Sequence, residues 1–204
     1  MGKTMARVRR VASLAIAGAL AAAMAGCATA PALTTFTLAA PDVTVTAPMR
    51  LPGLILVVAP SALEILSTDR VVVREPGGVL TVLPGVRYAD TLPAVVQERM
   101  IETFENANRL GGVARPGDRV TPDYQLNSSI RTFEIDAGAG EAVVSITVRA
   151  VSEATGRIAA ARVFTARVPV EVVDARAMAA LEAALGEVLL DIVRWAGTGR
   201  GATS

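Results

Sequence analysis

Histidine is absent and cysteine occurs once, at Cys27. These gaps exclude a Ser-His-Asp triad, a Cys-His pair, a histidine-ligated zinc or haem, a Cys-x-x-Cys redox motif and any intramolecular disulfide. Aromatic residues make up 3% of the 204, with one Trp, two Tyr and four Phe. A core must therefore be assembled from Val, Leu, Ile and Ala. Lysine occurs once, at Lys3, so every other basic side chain is Arg. The apolar stretch from Val11 to Ala25 has no charge, but at about 1.5 Å per residue its 15 residues reach only ~22 Å, short of the ~30 Å of bilayer hydrocarbon. With 52% hydrophobic and 19% charged residues, the chain carries enough apolar material for one folded domain and is not a disordered polymer.

What stands at the N-terminus reads as an address. Lys3, Arg7, Arg9 and Arg10 precede the apolar stretch without an acid among them. A basic start, a short apolar segment and a small-residue exit describe a secretory signal over residues 1–26. The exit Met24-Ala25-Gly26-Cys27 resembles the bacterial lipobox, with Met24 where Leu is usual. The resemblance implies diacylglyceryl transfer to Cys27, cleavage before it, and acylation of the new amine by a chain such as palmitate. Two or three acyl chains make such an anchor stable, at ~0.8 kcal/mol per buried CH₂. The residue after the cysteine is Ala28 and not Asp, which in lipoproteins of this kind implies the periplasmic face of the outer membrane. Four of the 20 basic residues lie before Cys27, so processing leaves 16 against 19 acids, a net charge of −3. A mildly acidic domain with few aromatics is a poor nucleic-acid binder.

Residues 27–35 read as a lipidated tether, 36–196 as the domain and 197–204 as a disordered tail. Phe36-Thr37-Leu38 is expected as a short strand, and Pro41 to Pro52 as a loop or edge segment. The apolar run Leu54 to Val58 reads as a strand covered on both faces, and Ser61 to Leu66 as one helical turn. Asp69 to Arg74 and Val79 to Leu83 flank Glu75-Pro76-Gly77-Gly78 and should form a hairpin. Leu92, Val95, Val96, Met100, Phe104 and Ala107 recur in steps of three and four, which predicts a helix over Leu92 to Leu110. Asp90 or Thr91 would cap it, and Gly111-Gly112 would end it. Tyr124 to Ile135 predicts a strand whose apolar phase shifts between Ile130 and Phe133, the mark of a bulge or twist. Val144 to Ala150 and Ile158 to Val168 complete an antiparallel meander. A last helix, capped by Asp174 and stopped by Gly197, presents Met178, Leu181, Leu185, Val188, Leu189, Ile192 and Trp195. The expected class is α/β: a single mixed or antiparallel sheet with two long helices packed on its faces.

No constellation asks for catalysis. Glu98, Glu102 and Glu105 share a helix face with Arg99 interspersed and read as a solvated face. Gly138-Ala139-Gly140 is followed by neither Lys nor a helix, so it is a hairpin turn and not a phosphate loop. Asn127-Ser128-Ser129 matches a glycosylation sequon but lies within a predicted strand. Asp90 beside Arg87 and Tyr88 is most simply a helix entry. The reading is non-enzymatic, with no catalytic residues, cofactor or metal, and with Cys27 as the one modified site.

In order, these segments resemble the auxiliary lipoproteins of ABC-type lipid transport systems, including the Pqi-type third component. The resemblance rests on the lipobox, Phe36-Thr37-Leu38, the run Ile55 to Pro60, and Thr68-Asp69-Arg70 with Val71 to Arg74. It continues through Arg87-Tyr88-Ala89-Asp90-Thr91-Leu92, Val96-Gln97, Phe104-Glu105, Tyr124-Gln125-Leu126, Phe133-Glu134 and Asp191-Ile192-Val193-Arg194-Trp195. It spans nearly all of residues 27–196. Phe36 stands where Tyr is usual and Tyr88 where Trp is usual. The resemblance implies a lipid-anchored periplasmic subunit working with an ABC permease, an ATPase and an MCE-domain protein, with a homo-oligomeric ring left open. The edge segment Val43 to Ala47 is the expected contact. The alternative is a small α/β lipoprotein assisting outer-membrane β-barrel or lipopolysaccharide-type assembly machinery.

Overall fold

The computed structural model describes residues 33–43, 53–107 and 112–197. The elements in chain order are β1 (Thr34–Phe36), β2 (Ile55–Val57), β3 (Ser61–Ala62), β4 (Val72–Arg74), β5 (Leu80–Val82), β6 (Val86–Tyr88), α1 (Leu92–Asn106), β7 (Val113–Ala114), β8 (Tyr124–Asp136), β9 (Glu141–Ser152), β10 (Ile158–Pro169) and α2 (Ala177–Gly197). A single 3₁₀ turn, Glu64–Leu66, follows β3.

The meander β8–β9–β10 is antiparallel throughout. Its period-two pattern builds apolar cross-strand rows. One row is Ile130–Ile146–Phe164 and the next is Phe133–Val144–Ala166. Every one of these six side chains is buried. The register slips between Ile130 and Thr132, where two residues of β8 face one of β9. That bulge is the phase shift expected from the sequence, and it keeps Ile130 and Phe133 on the same side of the sheet.

The other side of β8 is paired piecewise. β2, β3 and β4 each run parallel to it, at Tyr124–Leu126, Ser129–Ile130 and Glu134–Asp136. β7 runs parallel to β2 on its far side. β5 folds back on β4 as the expected hairpin, with Val72 opposite Val82 and Arg74 opposite Leu80.

Helix α2 lies on the inner face of the meander, and α1 packs beside it and against β2 and β7. Leu181, Ala184, Leu185, Val188, Leu189 and Ile192 of α2 are buried, as are Leu92, Val95, Val96, Met100 and Phe104 of α1. The intervening positions of the meander, Ser145, Thr147, Val163, Thr165 and Arg167, stay accessible. The helices therefore cover one face of the meander and leave the other open.

Several expectations are corrected. The strands form two sheets, not one: eight strands around β8, and a parallel pair β1–β6. The reason lies at Leu83-Pro84-Gly85. Proline lacks an N–H, and Gly85 takes a φ of +76°, so the chain leaves the β4–β5 ladder before re-forming as β6. The first strand occupies Thr34–Phe36 instead of residues 36–38, and Leu38 instead drops into the core. Residues 61–66 split into a two-residue bridge and one 3₁₀ turn. The first helix ends at Asn106, ahead of the Gly111-Gly112 stop; Gly111 lies outside the described residues. Thr91 occupies its N-cap without a side-chain bond, and Asp90 instead accepts from the Thr91 amide at 2.6 Å. Asp174 caps a turn before the last helix: its carboxylate accepts from the Arg176 amide at 2.8 Å, and its carbonyl from the Ala177 amide at 2.9 Å. Gly197 is that helix's final residue, and the expected tail 198–204 lies outside the described residues.

Candidate functional site

Cys27 lies outside the described residues, as do the expected signal segment and residues 27–32 of the tether. Of the expected edge segment Val43 to Ala47, only Val43 is described, and it packs against the core.

The polar groups singled out in the sequence are not brought together. Glu98 pairs with Arg115 at 3.1 Å and Glu102 with Arg99 at 2.6 Å, so this helix face is a set of surface ion pairs. Gly138-Ala139-Gly140 closes the β8–β9 turn, where the Ala139 amide donates to the Asp136 carboxylate at 2.9 Å. In Asn127-Ser128-Ser129 the middle side chain is buried, and Asn127 accepts from Gln125 at 2.9 Å. Arg87, Tyr88 and Asp90 diverge. Arg87 donates to Thr35 Oγ1 at 3.1 Å and approaches Asp69 at 3.7 Å, while Tyr88 turns inward and Asp90 serves the helix entry. Among the described residues no group of three or more His, Cys, Asp or Glu could hold a metal ion. No helix there is long and apolar enough to cross a membrane.

Two interior features carry polar chemistry. The Arg74 guanidinium grips the buried Glu134 carboxylate with Nε–Oε1 at 2.5 Å and Nη2–Oε2 at 3.1 Å. Those hydrogen bonds, and then the charge of Glu134, push the Arg74 pKa up. The bidentate clamp fixes β4 on β8, because its two residues come from adjacent parallel strands. Tyr88 sits edge-on to Phe133, with centroids 5.9 Å apart and planes at 90°. Its hydroxyl finds no partner among the described residues, and burial pushes its pKa up. The Tyr-for-Trp departure therefore keeps the aromatic packing and leaves the polar atom unsatisfied.

Among the described residues, two of the unpaired strand edges carry exposed aliphatic side chains. β10 closes one side of the large sheet along 12 residues, exposing Ile158 and Val163 among Arg and Thr. At the opposite side, β5 has all three residues accessible. Val79, Leu80 and Val82 expose 60%, 36% and 45% of their surface there, an unusual cost for aliphatic side chains. The run Val79 to Leu83 is apolar at every position but Thr81, so its pattern alone predicts burial. No local signal marks it as surface. A shallow open groove of about 360 Å³ lies between the end of β10 and the start of α2, lined by Val168, Val170, Val172, Ala177, Ala180 and Ala183. A second, of about 300 Å³, lies between Leu38 and the first turns of α1. Glu171 and Arg176 also line the first groove, and Asp90, Glu98 and Arg99 the second.

Comparison with known proteins places this architecture. A crystal structure of a Xanthomonas campestris protein superposes with a TM-score of 0.71 and 29% identity, covering 81% of this chain and 95% of that one. A second crystal structure, of an uncharacterized protein, shares the fold with a TM-score of 0.63 and 14% identity, covering 80% of this chain and 98% of that one. An uncharacterized protein of Bradyrhizobium diazoefficiens is 32% identical over 138 residues, or 67% of this chain; the match takes in 37% of that protein, so the chain spans little more than a third of its length. The family model for the ABC-type transport auxiliary lipoprotein component matches residues 36–193, from the first strand to the last turn of α2. With that match running across both helices and every long strand, the chain belongs to the family of ABC-type transport auxiliary lipoprotein components.

Proposed function

We propose that this chain is the lipid-anchored, non-catalytic auxiliary subunit of an ABC/MCE-type intermembrane lipid transport system. Cys27 carries the acyl chains after cleavage of residues 1–26, and the domain is held on the periplasmic face of the outer membrane. The observation that carries this reading is the family match over residues 36–193. The Met24-Ala25-Gly26-Cys27 exit and Ala28 support the anchor and its membrane. The partners are an MCE-domain protein, an ABC permease and its ATPase, which supplies the energy.

The β10 edge is the docking element in this reading. It offers a long row of unpaired backbone groups, and the open face beside it displays Ser145, Thr147 and Thr165. A strand or loop of the MCE protein can add to that edge with main-chain hydrogen bonds. The flanking Arg162 and Arg167 oppose indiscriminate pairing.

The test is co-purification of the full-length protein after mild detergent extraction, with Cys27→Ala as control. Recovery of permease, ATPase and MCE subunits, weakened when Cys27 is replaced, is the expected result. Recovery of a β-barrel without an ATPase overturns it in favour of an assembly lipoprotein.

A further inference from the structure

We propose that the free edge at β5, with Val79, Leu80, Val82 and Leu33, is a membrane-contact face that rests on the bilayer surface holding the Cys27 anchor. This rests on the anchor reading above and adds an orientation to it.

The argument starts from where the described domain begins. The Thr34 amide donates to the Gly85 carbonyl at 2.8 Å, which fixes the entry of the chain beside the loop that leaves β5. Gly85 follows Val82 by three residues, so at 3.8 Å per Cα step the two are within about 11 Å. Leu33 itself exposes 39% of its surface. From Cys27 to Leu33 there are six residue steps, which span at most about 20 Å when fully extended. An anchored Cys27 therefore keeps this corner of the domain within about 20 Å of the lipid. Val82, at the end of the exposed aliphatic run, is at that same corner.

The chemistry suits a lipid surface. Val79, Leu80 and Val82 offer aliphatic contact without an aromatic pocket or a convergent polar group. The nearby charges balance: Asp69 lies 4.0 Å from Arg70 and 3.7 Å from Arg87, and Glu75 accepts from Thr81 of β5 at 3.4 Å, so two carboxylates stand against two guanidiniums. Contact then needs no anionic lipid. A weak apolar interaction is enough, because the tether raises the local concentration of lipid at the face. The opposite edge, β10, is four strand spacings away across β9, β8 and β4, or about 19 Å at 4.8 Å per spacing. It faces away from the membrane and remains available to a partner.

The test uses the full-length lipidated protein in phosphatidylcholine vesicles with brominated acyl chains. Once Cys27 is acylated, a cysteine introduced at Val82→Cys or Ile158→Cys is the only free thiol and takes an environment-sensitive fluorophore. Both side chains are exposed, so neither substitution threatens the fold. The expected result is about threefold more quenching at position 82 than at 158, as for a face resting in the headgroup layer, with no dependence on added anionic lipid. Equal quenching at the two positions, on protein whose intact mass includes the acyl chains, overturns the face and leaves the anchor standing. An unmodified Cys27 by intact mass overturns both.

Discussion

Residues 124–197 hold three strands of 12 or 13 residues and a 21-residue helix, whereas residues 34–114 spread seven strands of two or three residues around a 15-residue helix. In the meander, hydrogen bonding and burial follow the same period. Buried side chains alternate with accessible ones along most of its length, and the bulge in β8 resets that alternation. In the N-terminal part, no strand is long enough to stand on its own pairing. Its pieces are pinned by long-range contacts beside their short ladders. Asp123 accepts from the Leu54 amide at 2.7 Å, Gln97 donates to the Val57 carbonyl at 3.0 Å, and Glu182 accepts from the Ala39 amide at 2.9 Å. Arg74 adds the clamp to Glu134. One region is a regular scaffold, and the other is a patchwork fastened to it. Sites that need an adaptable surface are more easily placed on the patchwork.

The contrast can be broken at its seam. Phe133→Ala removes a fully buried ring from the scaffold row that Tyr88 packs on, and should cost about 3–5 kcal/mol in urea unfolding. A smaller loss would mean that the patchwork collapses onto the gap. Gly53 sits at a φ of +81°, and a Cβ there would collide with the Asp123 carboxylate. Gly53→Ala should therefore cost about 2–3 kcal/mol through backbone strain and the displaced Leu54 bond. Faster hydrogen exchange confined to Leu54–Val57 would show that the Asp123 bond is a main fastening of β2 beside its two short ladders.

The clamp sharpens the comparison further. Arg74→Met leaves the Glu134 carboxylate buried without its partner and should cost about 1–3 kcal/mol, less than a fully dry pair because Arg74 is 38% exposed. The double change with Glu134→Leu should recover most of the loss in the same unfolding assay. Tyr88→Phe acts in the opposite direction. Removing a buried hydroxyl that has no partner should stabilise the protein by about 1 kcal/mol, read as a raised Tm.

The smallest effect lies at the exposed entry to α2. Hydrogen bonds from Arg176 hold the Asp174 carboxyl below its ordinary value of 3.8. A depressed carboxyl favours the fold above that ordinary value, and the contribution fades as pH falls through the lowered one. An NMR titration of Asp174 should show the midpoint rising toward 3.8 in Arg176→Gln, and the small loss of stability should be present near neutral pH and vanish in acid below the lowered value.

The two regions also differ in how readily the sequence reveals them. The meander was legible down to its bulge, because Ile130 and Phe133 break a period that otherwise holds. The helices were legible from their stripes, and all of the expected α1 positions from Leu92 to Ala107 are buried. The patchwork was legible only where turn chemistry is local, as in the hairpin at Glu75-Pro76-Gly77-Gly78. The position of β1, the split into two sheets and the exposure of Val79 to Val82 were not. The first two depend on a residue far along the chain, as Thr34 does on Val86, and the third on no strand coming to cover the outer side of the hairpin.

By itself, then, the sequence determined the chemistry that is excluded, the long elements, the apolar faces and the resemblance to the family, because composition and period act within a few residues. Tertiary structure alone decided which face of the meander the helices cover, which strand edges stay unpaired, and that Glu134 is buried with a partner while the Tyr88 hydroxyl is buried without one. Those outcomes follow from which distant strands meet, and no local pattern carries that information.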